Sequence, residues 1–151
     1  MKGFTLVELV TVIALMAALS GFASSLFMQG DGFATLAARD QLAATASLAQ
    51  QRALANATST SPVVLSVIQS ANSWQYTIAQ SGTTVVSHQL DRSGGFLSID
   101  GSTLSNGNSI DISYDEYAMT GVTHQLVFSG TNSQALCLGA TGIAYLGNCE
   151  G

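Results

Sequence analysis

"RDQLAATASLAQQRALANATSTSPVVLSV" runs from Arg39 to Val67, and within it the spacing of the apolar residues changes. Up to Asn56, a stripe of Ala38, Leu42, Ala46, Ala49 and Ala53 recurs at helical spacing, with Asp40, Ser47 and Gln51 opposite. Beyond Pro62 the period falls to two, the mark of a half-buried strand. A stripe built mostly of alanine implies that something approaches the helix closely, and a sheet suits it best. The stretch therefore predicts an α+β chain, with a helix ending near Asn56, before "ATSTSP", and strands after it.

Toward the C-terminus, "VVLSVIQ" (Val63–Gln69) and "WQYTIAQ" (Trp74–Gln80) are joined by "SANS" and read as a hairpin. "TTVVSHQL" follows Gly82, "FLSI" precedes the loop "DGSTLSNGNS", and "IDIS" follows it. His124–Ser129, Ala135–Leu138 and Gly142–Gly147 read as a three-strand meander with turns at "GTNSQ" and "GATG". The two halves are expected to form two small antiparallel sheets, at least one of them on the helix. No internal repeat and no linker long enough to separate a second domain is evident.

Toward the N-terminus, "QGDGF" (Gln29–Phe33) holds two glycines that weaken a helix by about 1 kcal/mol each, enough for a bend or a frayed turn. Before it, Phe4 to Met28 is apolar or small apart from Glu8 and a few hydroxyls. As a helix this run reaches ~37 Å, against a bilayer core of ~30 Å. Lys2 on its N-terminal side leaves the N-terminus in the cytoplasm and exports the remainder. The expected fold class is thus one long N-terminal α-helix of about 50 residues and ~75 Å. Its first half spans a membrane, and its amphipathic second half packs on a C-terminal antiparallel β-sheet head. An ordinary signal peptide is the competing reading, since Gly21 and Ala23 offer small residues for cleavage.

Charge and composition exclude several functions. Among 151 residues only 9% are charged, against about a quarter in an average soluble domain. Lys2, Arg39, Arg52 and Arg92 are the only basic residues beside two histidines, and net charge is −5, so nucleic acid is not an expected partner. No phosphate-binding loop, nucleophile elbow or clustered metal motif occurs, and an enzyme is not expected. His88 and His124 stand alone in sequence, as surface or strand-edge residues. Asp111, Asp115 and Glu116, with Asp100 before Gly101, offer hard oxygens for calcium, although their spacing fits a solvated acidic turn better. Trp74 and Tyr76 read as the buried face of a strand. Cys137 and Cys149, twelve positions apart, fit neither a redox CxxC pair nor a four-ligand zinc site. Outside the cytoplasm a disulfide is the natural reading, worth roughly 3 kcal/mol, with two buried thiols as the alternative.

Glu8 is the only ionisable side chain between Lys2 and Asp31. The segment that holds it, "KGFTLVEL" (Lys2–Leu9), resembles the processing site of type IV pilins and of type II secretion pseudopilins. The resemblance implies residues 1–3 as a leader, 4–28 as a transmembrane and filament-core helix, and 29–151 as a periplasmic pilin head. It also implies cleavage by a prepilin peptidase between Gly3 and Phe4 and methylation of the Phe4 amine. Glu8 then pairs with the Phe4 amine of a neighbouring subunit, a buried acid and a buried amine offsetting each other's desolvation. Glu8 also lies in the first turn of its own helix, where the dipole favours an acid, or folds back on its own amine. "GDGF", "ARDQL", "LAQQRAL" and "CLGATG" narrow the resemblance to the minor-pilin and pseudopilin H subgroup, on the side of MSHA-type pili.

The implied function is a non-catalytic minor subunit of a type IV pilus serving adhesion or motility, in initiation or at the tip. A type II secretion pseudopilin is the alternative. Its partners are other pilin subunits, the prepilin peptidase and methyltransferase, the assembly platform and the bacterial inner membrane. A DNA-capturing minor pilin is disfavoured by the scarcity of Lys and Arg in the head. No cofactor and no metal are implied.

Overall fold

Two helices stand where the sequence predicts one. A computed structural model of the chain describes residues 5–27, 30–56 and 61–150, with backbone alone for 20–27 and 30–32. Helix α1 is Leu6–Phe27 and helix α2 is Gly30–Ala55. The chain divides into two compact units, Met1–Gly30 and Asp31–Gly151. The long N-terminal helix packed on a sheet is therefore corrected. Helix α2 begins at Gly30, among the two glycines whose propensity cost weakens a continuous helix there.

The expected membrane anchor is corrected as well. Among the described residues no helix is long and apolar enough to cross a membrane. The part of α1 with described side chains, Leu6–Leu19, rises only ~21 Å, short of the ~30 Å of a bilayer core. The rest of the run from Phe4 to Met28 lies, in its side chains, outside the described residues.

Nine strands follow α2: β1 (Val63–Gln69), β2 (Ser73–Gln80), β3 (Thr83–Asp91), β4 (Phe96–Ile99), β5 (Ser102–Thr103), β6 (Ser109–Tyr114), β7 (His124–Ser129), β8 (Ser133–Leu138) and β9 (Ala144–Leu146). They form two antiparallel sheets, ordered β3-β2-β1-β6 and β5-β4-β7-β8-β9. Alternation decides which side chains go inward. On β1 these are Val63, Leu65, Val67 and Gln69, on β2 Trp74, Tyr76 and Ile78, and on β7 Leu126 and Phe128.

The alanine stripe of α2 is buried in the same core as these residues. Alanine allows the strands to come close enough for two phenols to reach the helix backbone. Tyr76 Oη donates to the Ala38 carbonyl at 3.1 Å, and Tyr114 Oη to the Ala46 carbonyl at 3.3 Å. Trp74 and Tyr76 are both fully buried, as their strand periodicity predicts.

The division of strands between the sheets differs from a simple halving of the chain. Strands β4 and β5 join the C-terminal meander, and β6 returns to pair with β1. The physical link is Gln69, a buried amide at the end of β1. Its Oε1 accepts from Trp74 Nε1 at 3.1 Å and from the Leu97 amide at 2.8 Å, and its Nε2 donates to the Leu104 carbonyl. One side chain thus ties β1 to β4 across the two sheets. Trp74 meets Phe128 edge-on, with ring centroids 5.2 Å apart, and closes the same junction. A Cβ at Gly95 would stand 2.9 Å from the Trp74 ring, so only glycine lets β4 start there without displacement.

Candidate functional site

Among the described residues, α1 is an oily helix whose large apolar side chains lie open. In α1, Leu6, Val7, Leu9, Val10, Val12, Ile13, Leu15, Met16 and Leu19 are all exposed, Leu6 by 79% and Leu19 by 67%. At 100° per residue these nine point to every side of the helix. A helix apolar all round belongs in the interior of something larger. Fully burying each such side chain stabilises by about 1.5–3 kcal/mol, so the nine represent at most roughly 14–27 kcal/mol of gross driving force.

The start of this helix is capped by Thr5 and Glu8. Glu8 Oε2 accepts from the Thr5 amide at 3.2 Å and from Thr5 Oγ1 at 3.0 Å, while the Glu8 amide donates to Thr5 Oγ1 at 3.3 Å. This reciprocal pair is a capping box, which satisfies amides left without partners at a helix start. The spacing T-x-x-E before an apolar run signals it, and the reading of Glu8 as an assembly acid passed over that signal. The two roles are compatible, because the carboxylate is exposed. Gly3 and Phe4, the predicted cleavage and methylation positions, lie outside the described residues.

The remaining candidate residues are scattered over the head. Cys137 on β8 is bonded to Cys149 in the C-terminal segment, with Cα atoms 5.0 Å apart. His88 lies on the edge strand β3, half-buried. His124 is not alone: its Nδ1 is 2.8 Å from Asp100 Oδ2, and Asp100 Oδ1 accepts the Gln125 amide. Sequence reasoning missed this contact, since 24 positions separate the two and β4–β7 pairing alone joins them.

Asp115 turns its carboxylate inward on its own loop, where Oδ1 accepts the Tyr117 and Met119 amides at 2.9 and 2.8 Å. Among the described residues no group of three or more His, Cys, Asp or Glu is placed to hold a metal. A cavity of about 300 Å³ lies at the C-terminal end of α2, bordered by Ala53, Pro62, Tyr114, Asp115, Glu116 and Tyr117. Burial pushes the phenols of Tyr76 and Tyr114 well above the usual tyrosine range. Both are engaged with the α2 backbone, a structural duty. No family model matches the chain, and neither a curated protein nor a solved structure matches it.

Proposed function

We propose that this chain is a non-catalytic structural subunit of a type IV pilus-like filament, a minor pilin, assembled through α1. The observation that carries the reading is the exposure of apolar side chains on every side of α1. In a filament the like helices of neighbouring subunits cover that surface, and other pilin subunits are the partners. The Cys137–Cys149 disulfide favours a head on the oxidising, exported side.

In this reading a prepilin peptidase cleaves between Gly3 and Phe4, the new amine is methylated, and an inner-membrane platform adds the subunit to the fibre. Glu8 then exchanges its Thr5 partners for the amine of a neighbour. An acid among apolar helices is tolerated only when a cation meets it, and this pairing sets the axial register that apolar contact alone leaves free.

N-terminal mass spectrometry of the mature chain tests the processing step. Methylated Phe4 is the expected first residue, and a start near Ser24 would defeat the proposal. Glu8→Val is expected to leave trimming intact and to impair incorporation, with wild-type filament yield as the contrary result.

A further inference from the structure

We infer that Asn106 is a latent modification site, a one-way chemical latch on the junction between the two sheets. Its side-chain amide converts to an acid when that junction opens, and the folded chain holds the conversion back. The inference uses residues of the head alone and stands apart from the filament reading. Asn106–Gly107 is the only Asn–Gly pair in the chain. With no Cβ on the second residue, its nitrogen is unshielded and its backbone is free to bring that nitrogen to the asparagine Cγ. The Gly107 nitrogen then bonds to Cγ, and the side-chain nitrogen leaves as ammonia, taking the Gly107 amide proton with it. Water opens the resulting succinimide. Attack at one carbonyl gives aspartate. Attack at the other gives isoaspartate, in which the main chain runs through the side-chain carbons.

In the folded chain both reacting groups are engaged elsewhere. The Gly107 amide, which supplies the nucleophile, donates to the Gln69 carbonyl at 2.7 Å. The Asn106 side-chain carbonyl accepts from Arg92 Nη1, which also donates to the Ser70 carbonyl at 2.8 Å. A guanidinium on that oxygen draws electrons from Cγ, which alone would favour attack. It cannot act while the nucleophile is bonded to Gln69 and the side chain is fixed. The residues on either side are fastened to the same place. Gln69 donates its backbone amide to the Asn108 carbonyl at 3.0 Å and its Nε2 to the Leu104 carbonyl. Gln69 is also the side chain that ties β1 to β4, through Trp74 and the Leu97 amide. Release of Gly107 is therefore coupled to local opening of the sheet junction.

The two products differ in what they do to the junction. Aspartate keeps the length of the main chain, and its carboxylate takes Arg92 as an ionic partner. Isoaspartate adds a methylene to the main chain between Leu104 and Gly107, both of which are pinned to Gln69. With that added length the two bonds cannot both be remade in their present geometry, and a buried group of Gln69 loses its partner. The departed ammonia does not return on refolding. A closed junction thus protects its own amide, and a junction that has reacted while open closes less firmly.

The test incubates the full chain in detergent at mildly alkaline pH, folded and in urea, with the disulfide intact. Peptide mass spectrometry follows amide-to-acid exchange at position 106, and electron-transfer fragmentation distinguishes isoaspartate from aspartate. Conversion should be at least tenfold slower in the folded chain, since only the fraction open at any instant reacts. Arg92→Gln, checked for folding by circular dichroism, should raise the folded-state rate severalfold. Chains with isoaspartate at position 106, refolded from urea, should unfold at a lower denaturant midpoint than Asn106→Asp. The first and last comparisons stand even where Arg92→Gln does not fold. Equal rates in the folded and unfolded chain, an unchanged or slower rate in folded Arg92→Gln, or equal midpoints for the two acids would each overturn the inference.

Discussion

Helices α1 and α2 have similar lengths and opposite fates. In α2 one stripe of small residues is buried among strands, and two tyrosines bond its backbone. In α1 the side chains from Leu6 to Leu19 are exposed on all sides, and Thr5, Glu8 and Thr11 make local hydrogen bonds at its start. The difference teaches that a helix becomes part of a core through the shape of one face rather than through total hydrophobicity. Alanine at four of the five stripe positions brings a backbone within reach of a sheet. Leucine, valine and isoleucine all round demand an environment that one chain does not supply.

The comparison can be broken at its strongest point first. Trp74→Ala removes the ring that meets Phe128 and a partner of Gln69, and should cost about 3–5 kcal/mol in denaturant unfolding. A smaller loss would mean that the sheets are joined mainly elsewhere. Replacing Cys137 and Cys149 together with serine should cost roughly 3 kcal/mol, read as a lower unfolding midpoint equal to that of the reduced native chain. Ala46→Leu tests the close approach at α2. Overpacking beneath Tyr114 should destabilise by about 1–3 kcal/mol, whereas a loose interface would absorb it.

Smaller effects sharpen the contrast. Tyr76→Phe and Tyr114→Phe should each cost about 1 kcal/mol near neutrality. Their ionisation adds a pH dependence with a definite sign. Folding raises both phenol pKa values, so the unfolded chain loses those protons first as pH climbs past about 10. Stability from these groups is complete below that pH and declines above it. The double phenylalanine variant should lose stability less steeply in alkali. Least of all, Ile13→Asp in α1 should move the head's unfolding midpoint by no more than about 0.5 kcal/mol while abolishing filament incorporation. A large shift would show that the head depends on α1.

How much of this was legible beforehand varies with the range of the interaction. The alanine stripe, the hairpin of β1 and β2 and the C-terminal meander follow from periodicity and turn residues, because neighbours in sequence are neighbours in space. The division into two helices was half-legible: the glycines at 30 and 32 stand in the first turn of α2, yet one long helix was expected. The Thr5–Glu8 capping box was fully legible and was missed because the same glutamate also suits a second role. His124 with Asp100 was not legible at all, since a contact across 24 residues leaves no local trace.

By itself, then, the order of residues determined which segments are helical or extended, which faces are apolar, and that cationic ligands of nucleic acid are scarce. These depend on side-chain chemistry repeated at short spacing. Only the tertiary structure decided that β4 and β5 leave the first sheet for the second, and that Gln69 and Trp74 close the junction. It also decided that the Ala118 carbonyl stands against Gly142. Those outcomes depend on which distant backbones approach, and many chain paths satisfy the same local pattern until the core is packed.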